Sequence, residues 1–123
     1  MRQNAILISF DSVQNRTMED WISVAKSDEF APGERRVVEA QGTRIVVFNL
    51  DGEYYAIEDM CTHDYAPLGG GLIEGDAIMC PRHGARFCIK TGEVLSPPAY
   101  EAITTFPVRV EDGMVLVRDD RFD

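Results

Sequence analysis

Cys61-Thr62-His63 and Cys80-Pro81-Arg82-His83 are two short Cys/His pairs, C-x-H and C-x-x-H, with sixteen residues between His63 and Cys80. The chain has three cysteines and two histidines, and only Cys88 falls outside the pairs. Two thiolates on one iron and two imidazoles on the other are the ligand set of a mixed 2Fe–2S centre, whose chemistry is one-electron transfer. Each pair supplies one Cys and one His. Cys61 and Cys80 are therefore expected on an inner iron, and His63 and His83 on an outer one with ring edges toward solvent. Neutral imidazoles in place of two thiolates remove negative charge and raise the potential above that of an all-cysteine cluster.

Other chemistries use the same residue types. Zinc takes two Cys and two His, but its usual motifs pair Cys with Cys and His with His. Cys/His nucleophilic catalysis needs one of each plus an orienting group, which leaves the duplication unexplained. Cys88 lies on an expected strand and reads as a small buried side chain, since four ligands already fill a cluster of this type.

The elements that must position these pairs read as short strands separated by turns. Expected strands are Trp21 to Ala25, Arg35 to Ala40, Thr43 to Leu50 and Glu53 to Ile57. Further ones are Leu72-Ile73, Ala77 to Met79, Phe87 to Ile89, Val94-Leu95, Val108 to Val110 and Met114 to Val117. Asp51-Gly52, Glu74-Gly75-Asp76 and Asp112-Gly113 mark hairpin turns. One helical turn near Ser27 to Phe30 fits. The pattern implies an all-β domain of about ten short strands, a sandwich or partly open barrel. Both Cys/His segments fall where the strand pattern stops, in Gly- and Pro-bearing loops that rigid hairpins would hold. Residues 1–19 show no periodicity and read as an added N-terminal arm, disordered or forming an edge strand over Ile6 to Phe10.

At 123 residues the length suits one domain with its own core. Lys and Arg number 12 against 21 Asp and Glu, a formal charge of −9. That surface disfavours nucleic acid and anionic membranes and suits a partner with a basic patch. No export signal or membrane-spanning stretch is evident, and thiolates committed to iron fit a reducing compartment. A cytoplasmic protein is the expectation.

From about Trp21 to Asp120 the sequence resembles a Rieske-type ferredoxin. The resemblance rests on Cys61-Thr62-His63 with Ala66-Pro67-Leu68-Gly69, and on Cys80-Pro81-Arg82-His83-Gly84-Ala85-Arg86-Phe87. Thr91-Gly92-Glu93 and Ser96-Pro97-Pro98-Ala99 extend it. It implies a Rieske iron–sulfur fold over residues 20–120, with three antiparallel sheets and two cluster loops at one tip. It also implies a third loop, Pro97-Pro98, that shields the cluster. The cofactor implied is a 2Fe–2S cluster on Cys61, His63, Cys80 and His83.

Respiratory members carry an extra Cys in each loop, joined as a disulfide. Ala66 and Arg82 stand at those positions here. Ala85 and Phe87 stand where those members place a Ser and a Tyr near the sulfurs, so a potential near the low end, roughly −150 mV, is expected. Terminal oxygenases need a second iron on two His and a carboxylate, and no histidine is left for it. The implied role is the ferredoxin of an aromatic-ring-hydroxylating dioxygenase system, not itself an enzyme. It would pass electrons from an NAD(P)H-dependent flavoprotein reductase to the terminal oxygenase. The alternatives are the small subunit of an assimilatory nitrite reductase and a zinc-stabilised binding module.

Glu58, Asp59, Asp64, Arg82 and Arg86 flank the loops. They read as solvated loop charges or as docking charges. Trp21 and Tyr100 read as packing residues, and Pro67 and Pro97 as loop stiffeners.

Overall fold

The computed structural model describes residues 21–62 and 65–122. The arm expected over 1–19, disordered or with an edge strand at Ile6 to Phe10, lies outside the described residues, as do His63 and Asp64. Among the described residues the chain forms three antiparallel sheets. The first joins β1 (Ile22–Lys26), β11 (Met114–Val117) and β10 (Val108–Glu111), in that order. The second is β2 (Arg35–Ala40), β3 (Thr43–Leu50), β4 (Glu53–Glu58) and β9 (Thr105–Phe106). The third is β5 (Leu72–Glu74), β6 (Ala77–Met79), β7 (Arg86–Cys88) and β8 (Val94–Ser96). Single 3-10 turns occupy Ser27–Glu29 and Asp120–Phe122.

The strands form where β-branched and aromatic residues alternate with polar ones, and they turn where the dipeptides demand it. Asp51 and Gly52 both take positive φ, 57° and 95°, as do Asp112 and Gly113 at 53° and 77°. Two successive left-handed residues give the tight turn whose twist matches a hairpin. The β2–β3 hairpin uses Gln41-Gly42 in the same way, at 54° and 84°. The expected hairpins all form, with small shifts of strand ends. β9 is an addition. Its two residues pair Thr105 with Ile57 and Phe106 with Ala56, too short a run to show a period.

β3 is buried from Ile45 through Asn49, because it has apolar neighbours on both faces. Val46 and Phe48 join one buried cluster with Ile57, Leu68, Ile78, Phe87 and Ile89. Ile45 and Val47 join another with Phe30, Ala56, Phe106, Val115 and Val117. Successive side chains of a strand point to opposite faces. The second sheet thus separates a core toward β5–β8 from a core toward β1, β10 and β11. Among the described residues there is no closed barrel.

Candidate metal centre

The first Cys/His loop leaves the end of β4 and returns at β5, and the second links β6 to β7. Both close with the same backbone pattern. The Cys61 amide donates to the Ala66 carbonyl at 2.7 Å, and the Tyr65 amide donates back to the Cys61 carbonyl at 2.7 Å. In the second loop the Cys80 amide donates to the Ala85 carbonyl at 2.7 Å, and the Gly84 amide to the Cys80 carbonyl at 3.1 Å. Each loop thereby ties its Cys to residues four and five positions on. These bonds anchor the backbone of each Cys.

Cys61 and Cys80 are 0% and 1% exposed and belong to the same buried cluster, with Leu68, Ala85, Phe87 and Ala99. None of the three cysteines forms a disulfide. His83 lies exposed at the outer end of its loop, beside exposed Pro81 and Arg82. The structure therefore brings the two thiols into one apolar cluster and leaves His83 exposed to solvent. His63 is not among the described residues. Among the described residues no group of three or more His, Cys, Asp or Glu side chains gathers about one point as a single metal ion requires.

The third loop follows β8. Pro97 is exposed, Pro98 half-buried and Ala99 buried in the thiol cluster. The Thr62 hydroxyl donates to the Glu101 carbonyl at 2.7 Å, fastening the first loop to the segment just after it. Ala85 and Phe87 are wholly buried and bring no hydroxyl to the thiol cluster.

Four expectations need correction. Asp59 is no solvated loop charge: its side chain is 0% exposed and pairs with Arg44 at 2.9 Å. Its other oxygen accepts the Leu68 and Gly69 amides at 2.7 and 2.6 Å. A buried carboxylate persists only when its lone pairs are filled, and here they are. Glu58 is only 18% exposed and is tied to Arg121 at 3.4 Å, whereas Arg86, 42% exposed, keeps the solvated setting expected of it and pairs with Glu74 at 2.8 Å. Tyr100 does not pack; it is 84% exposed, because the turn after Ala99 carries it outward. Cys88 is half-buried rather than core, since it alternates with Phe87 and faces away from the apolar cluster. Burial pushes the Cys88 thiol up, but the Thr91 side chain and the Thr91 and Lys90 amides outweigh it and hold its pKa below the usual value.

Sequence reasoning misread Asp59 and missed Arg35. An Asp just ahead of a Gly-rich loop is a recognisable amide acceptor. Arg35 gave no such signal. Its guanidinium donates to the Gly69 and Gly71 carbonyls at 2.8 and 2.7 Å, across 34 and 36 residues of chain.

Comparison with known proteins adds a family match and named relatives. The family model described as Rieske 2Fe-2S domain matches residues 20–107. The biphenyl dioxygenase ferredoxin subunit of Pseudomonas sp. (strain KKS102) is 41% identical over 91 residues, which is 73% of this chain and 84% of that one. The 3-phenylpropionate/cinnamic acid dioxygenase ferredoxin subunit of Escherichia coli (strain K12) is 47% identical over 74 residues, 59% of this chain and 70% of that one. Among solved structures, a complex of reduced oxygenase and oxidized ferredoxin in carbazole 1,9a-dioxygenase contains a chain 36% identical. It superposes with a TM-score of 0.76, covering 80% of this chain and 93% of that one.

Proposed function

This chain belongs to the Rieske 2Fe-2S domain family, and we propose that it is the ferredoxin of an aromatic-ring-hydroxylating dioxygenase system. It accepts single electrons from an NAD(P)H-dependent flavoprotein reductase and delivers them to a terminal oxygenase. It is a carrier, not the catalyst of ring oxidation. The observation behind this reading is the pair of buried thiols on matching loops, in a chain whose named relatives are dioxygenase ferredoxin subunits.

Cys61, Cys80, His63 and His83 would hold a 2Fe–2S cluster, which would supply a site that gains and loses one electron at a time. The chain supplies what surrounds that site. Leu68, Ala85, Phe87 and Ala99 keep water from the sulfur side. The exposed setting of His83 supports electron exit through the imidazole side, where a partner can approach. Residues 20–120 form the cluster domain and residues 1–19 an added arm. Among the described residues no helix is long and apolar enough to cross a membrane. Iron-bound thiolates suit the reducing cytoplasm. The choice of aromatic substrate rests with the oxygenase.

The test is direct. Anaerobically purified protein is expected to be brown, to contain iron and acid-labile sulfide in equal amounts, and to bleach with dithionite. It is expected to be reduced by NADH only when a flavoprotein reductase is present. Colourless protein without iron or sulfide would remove the carrier role.

A further inference from the structure

The buried carboxylate two residues ahead of Cys61 does more than neutralise an arginine. One Asp59 oxygen accepts two consecutive amides, Leu68 at 2.7 Å and Gly69 at 2.6 Å. These residues form the return stretch of the first ligand loop. The other oxygen takes Arg44 Nε at 3.2 Å and Nη2 at 2.9 Å. The Asp59 amide itself donates to the Arg44 carbonyl at 2.8 Å, which fixes the carboxylate to β3. Arg35, on β2, grips the carbonyls of Gly69 and Gly71 in the same stretch. Gly71 lies against the backbone of the second loop's stem: a Cβ there would collide with the Met79 carbonyl oxygen. Met79 immediately precedes Cys80. An unbroken chain of contacts therefore runs from Asp59 through Leu68–Gly71 to the residue ahead of Cys80.

We propose that Asp59 is a positioning residue for the metal centre: its carboxylate, together with Arg35, holds the return of the first loop on the stem of the second and so sets the spacing of Cys61 and Cys80. This rests on the reading of those cysteines as cluster ligands. The carboxylate touches no ligand atom and acts only through the loop backbone. Its hydrogen bonds to amides carry the effect. The ion pair to Arg44 is secondary, since Arg44 is 56% exposed and an exposed guanidinium can turn to water.

The two contributions separate by substitution. Asp59→Asn keeps an acceptor oxygen for the Leu68 and Gly69 amides but drops the charge. Asp59→Ala removes both, and Arg44→Ala removes only the cation. Iron and sulfide content, the electron paramagnetic resonance spectrum of the reduced protein, and deuterium exchange over residues 65–71 are measured for each. Asp59→Ala is expected to lose cluster, to broaden the spectrum, and to speed exchange of the Leu68 and Gly69 amides by roughly tenfold or more. Asp59→Asn and Arg44→Ala are expected to keep the wild-type cluster content and line shape, with potentials moved up and down respectively by the lost charges.

Full cluster, unchanged line shape and unchanged exchange in Asp59→Ala would overturn the proposal. Should Asp59→Ala not fold, Asp59→Asn decides: cluster loss there overturns the amide role, and retention supports it. Wild-type protein lacking iron and sulfide defeats the ligand assignment instead, and exchange at Leu68 and Gly69 still tests the clamp.

Discussion

Tyr65 and Gly84 occupy the same station in the two ligand loops. Each donates its amide to the carbonyl of a Cys four residues back, and each has a left-handed backbone, φ 64° and 81°. Glycine meets that requirement without strain, whereas tyrosine has a Cβ that resists it. Gly84→Ala is expected to destabilise by about 1 kcal/mol, since among the described residues the one steric neighbour, Met79 Sδ at 3.9 Å, leaves room for a methyl group. Tyr65→Gly is expected to be neutral or mildly stabilising, as Tyr65 is 71% exposed and loses little packing. Urea midpoints of the two variants check both directions.

Cys88 differs from the other two thiols in depth and in neighbours. Cys61→Ser and Cys80→Ser are each expected to abolish the visible spectrum, and Cys88→Ser to leave it unchanged. Alkylation of Cys88 is expected to reach half its maximal rate at a pH below 9.0, the thiol's ordinary value. Thr91→Val is expected to move that midpoint upward by removing a hydrogen bond to the sulfur. Peptide mass spectrometry across a pH series reads both.

Ala85 and Phe87 form part of the buried cluster of the thiols without a hydroxyl between them. A hydrogen bond toward a cluster sulfur stabilises the more negative reduced form and raises the potential. Wild-type protein is expected near the low end of the mixed-ligand range, roughly −150 mV. Ala85→Ser and Phe87→Tyr are each expected to raise it, with cluster content unchanged. Protein-film voltammetry measures the shift, and a lower or unmoved potential in both variants would argue that neither side chain faces the sulfurs.

Asp119 is buried to 1% side-chain exposure and holds Arg121 at 2.9 Å. Hydrogen bonds from the Arg121 side chain, opposed by burial and aided by the Arg121 amide and Thr43, keep its pKa below the ordinary 3.8. A carboxylate with a depressed folded pKa contributes stability that is complete above its unfolded value. That contribution is lost as pH falls through the folded one. Asp119→Asn is therefore expected to cost about 1 kcal/mol at neutral pH, by a margin constant down to about pH 5 and shrinking below pH 3.8. Chemical unfolding of both proteins across that window reports the convergence.

Local patterns made much of this legible. Arg35–Ala40 and Thr43–Leu50 have the strand limits their alternation and flanking turns imply. The Asp-Gly turns appear where the dipeptides fall. The Cys/His segments do lie in loops at strand ends. What pairs with what was not legible: Ile22 lies opposite Val117, nearly the whole described chain away, and no periodicity encodes a partner. The division into three sheets came from the family resemblance rather than from local pattern, and two-residue β9 escaped both. Asp59 was misread for a related reason. Charge type suggests exposure, but the burial of this carboxylate depends on Arg44, fifteen residues back, and on a loop that folds over it.

Alternate side chains of β3 enter separate apolar compartments, so this strand works as a party wall. Enlarging or trimming Ile45 or Val47 disturbs the side built with β11. Changing Val46 or Phe48 reaches the side that holds both thiols. Durability and electron affinity are therefore adjustable from opposite faces of one segment: thermal hardening can be sought at odd-numbered positions while tuning of the redox end proceeds at even ones.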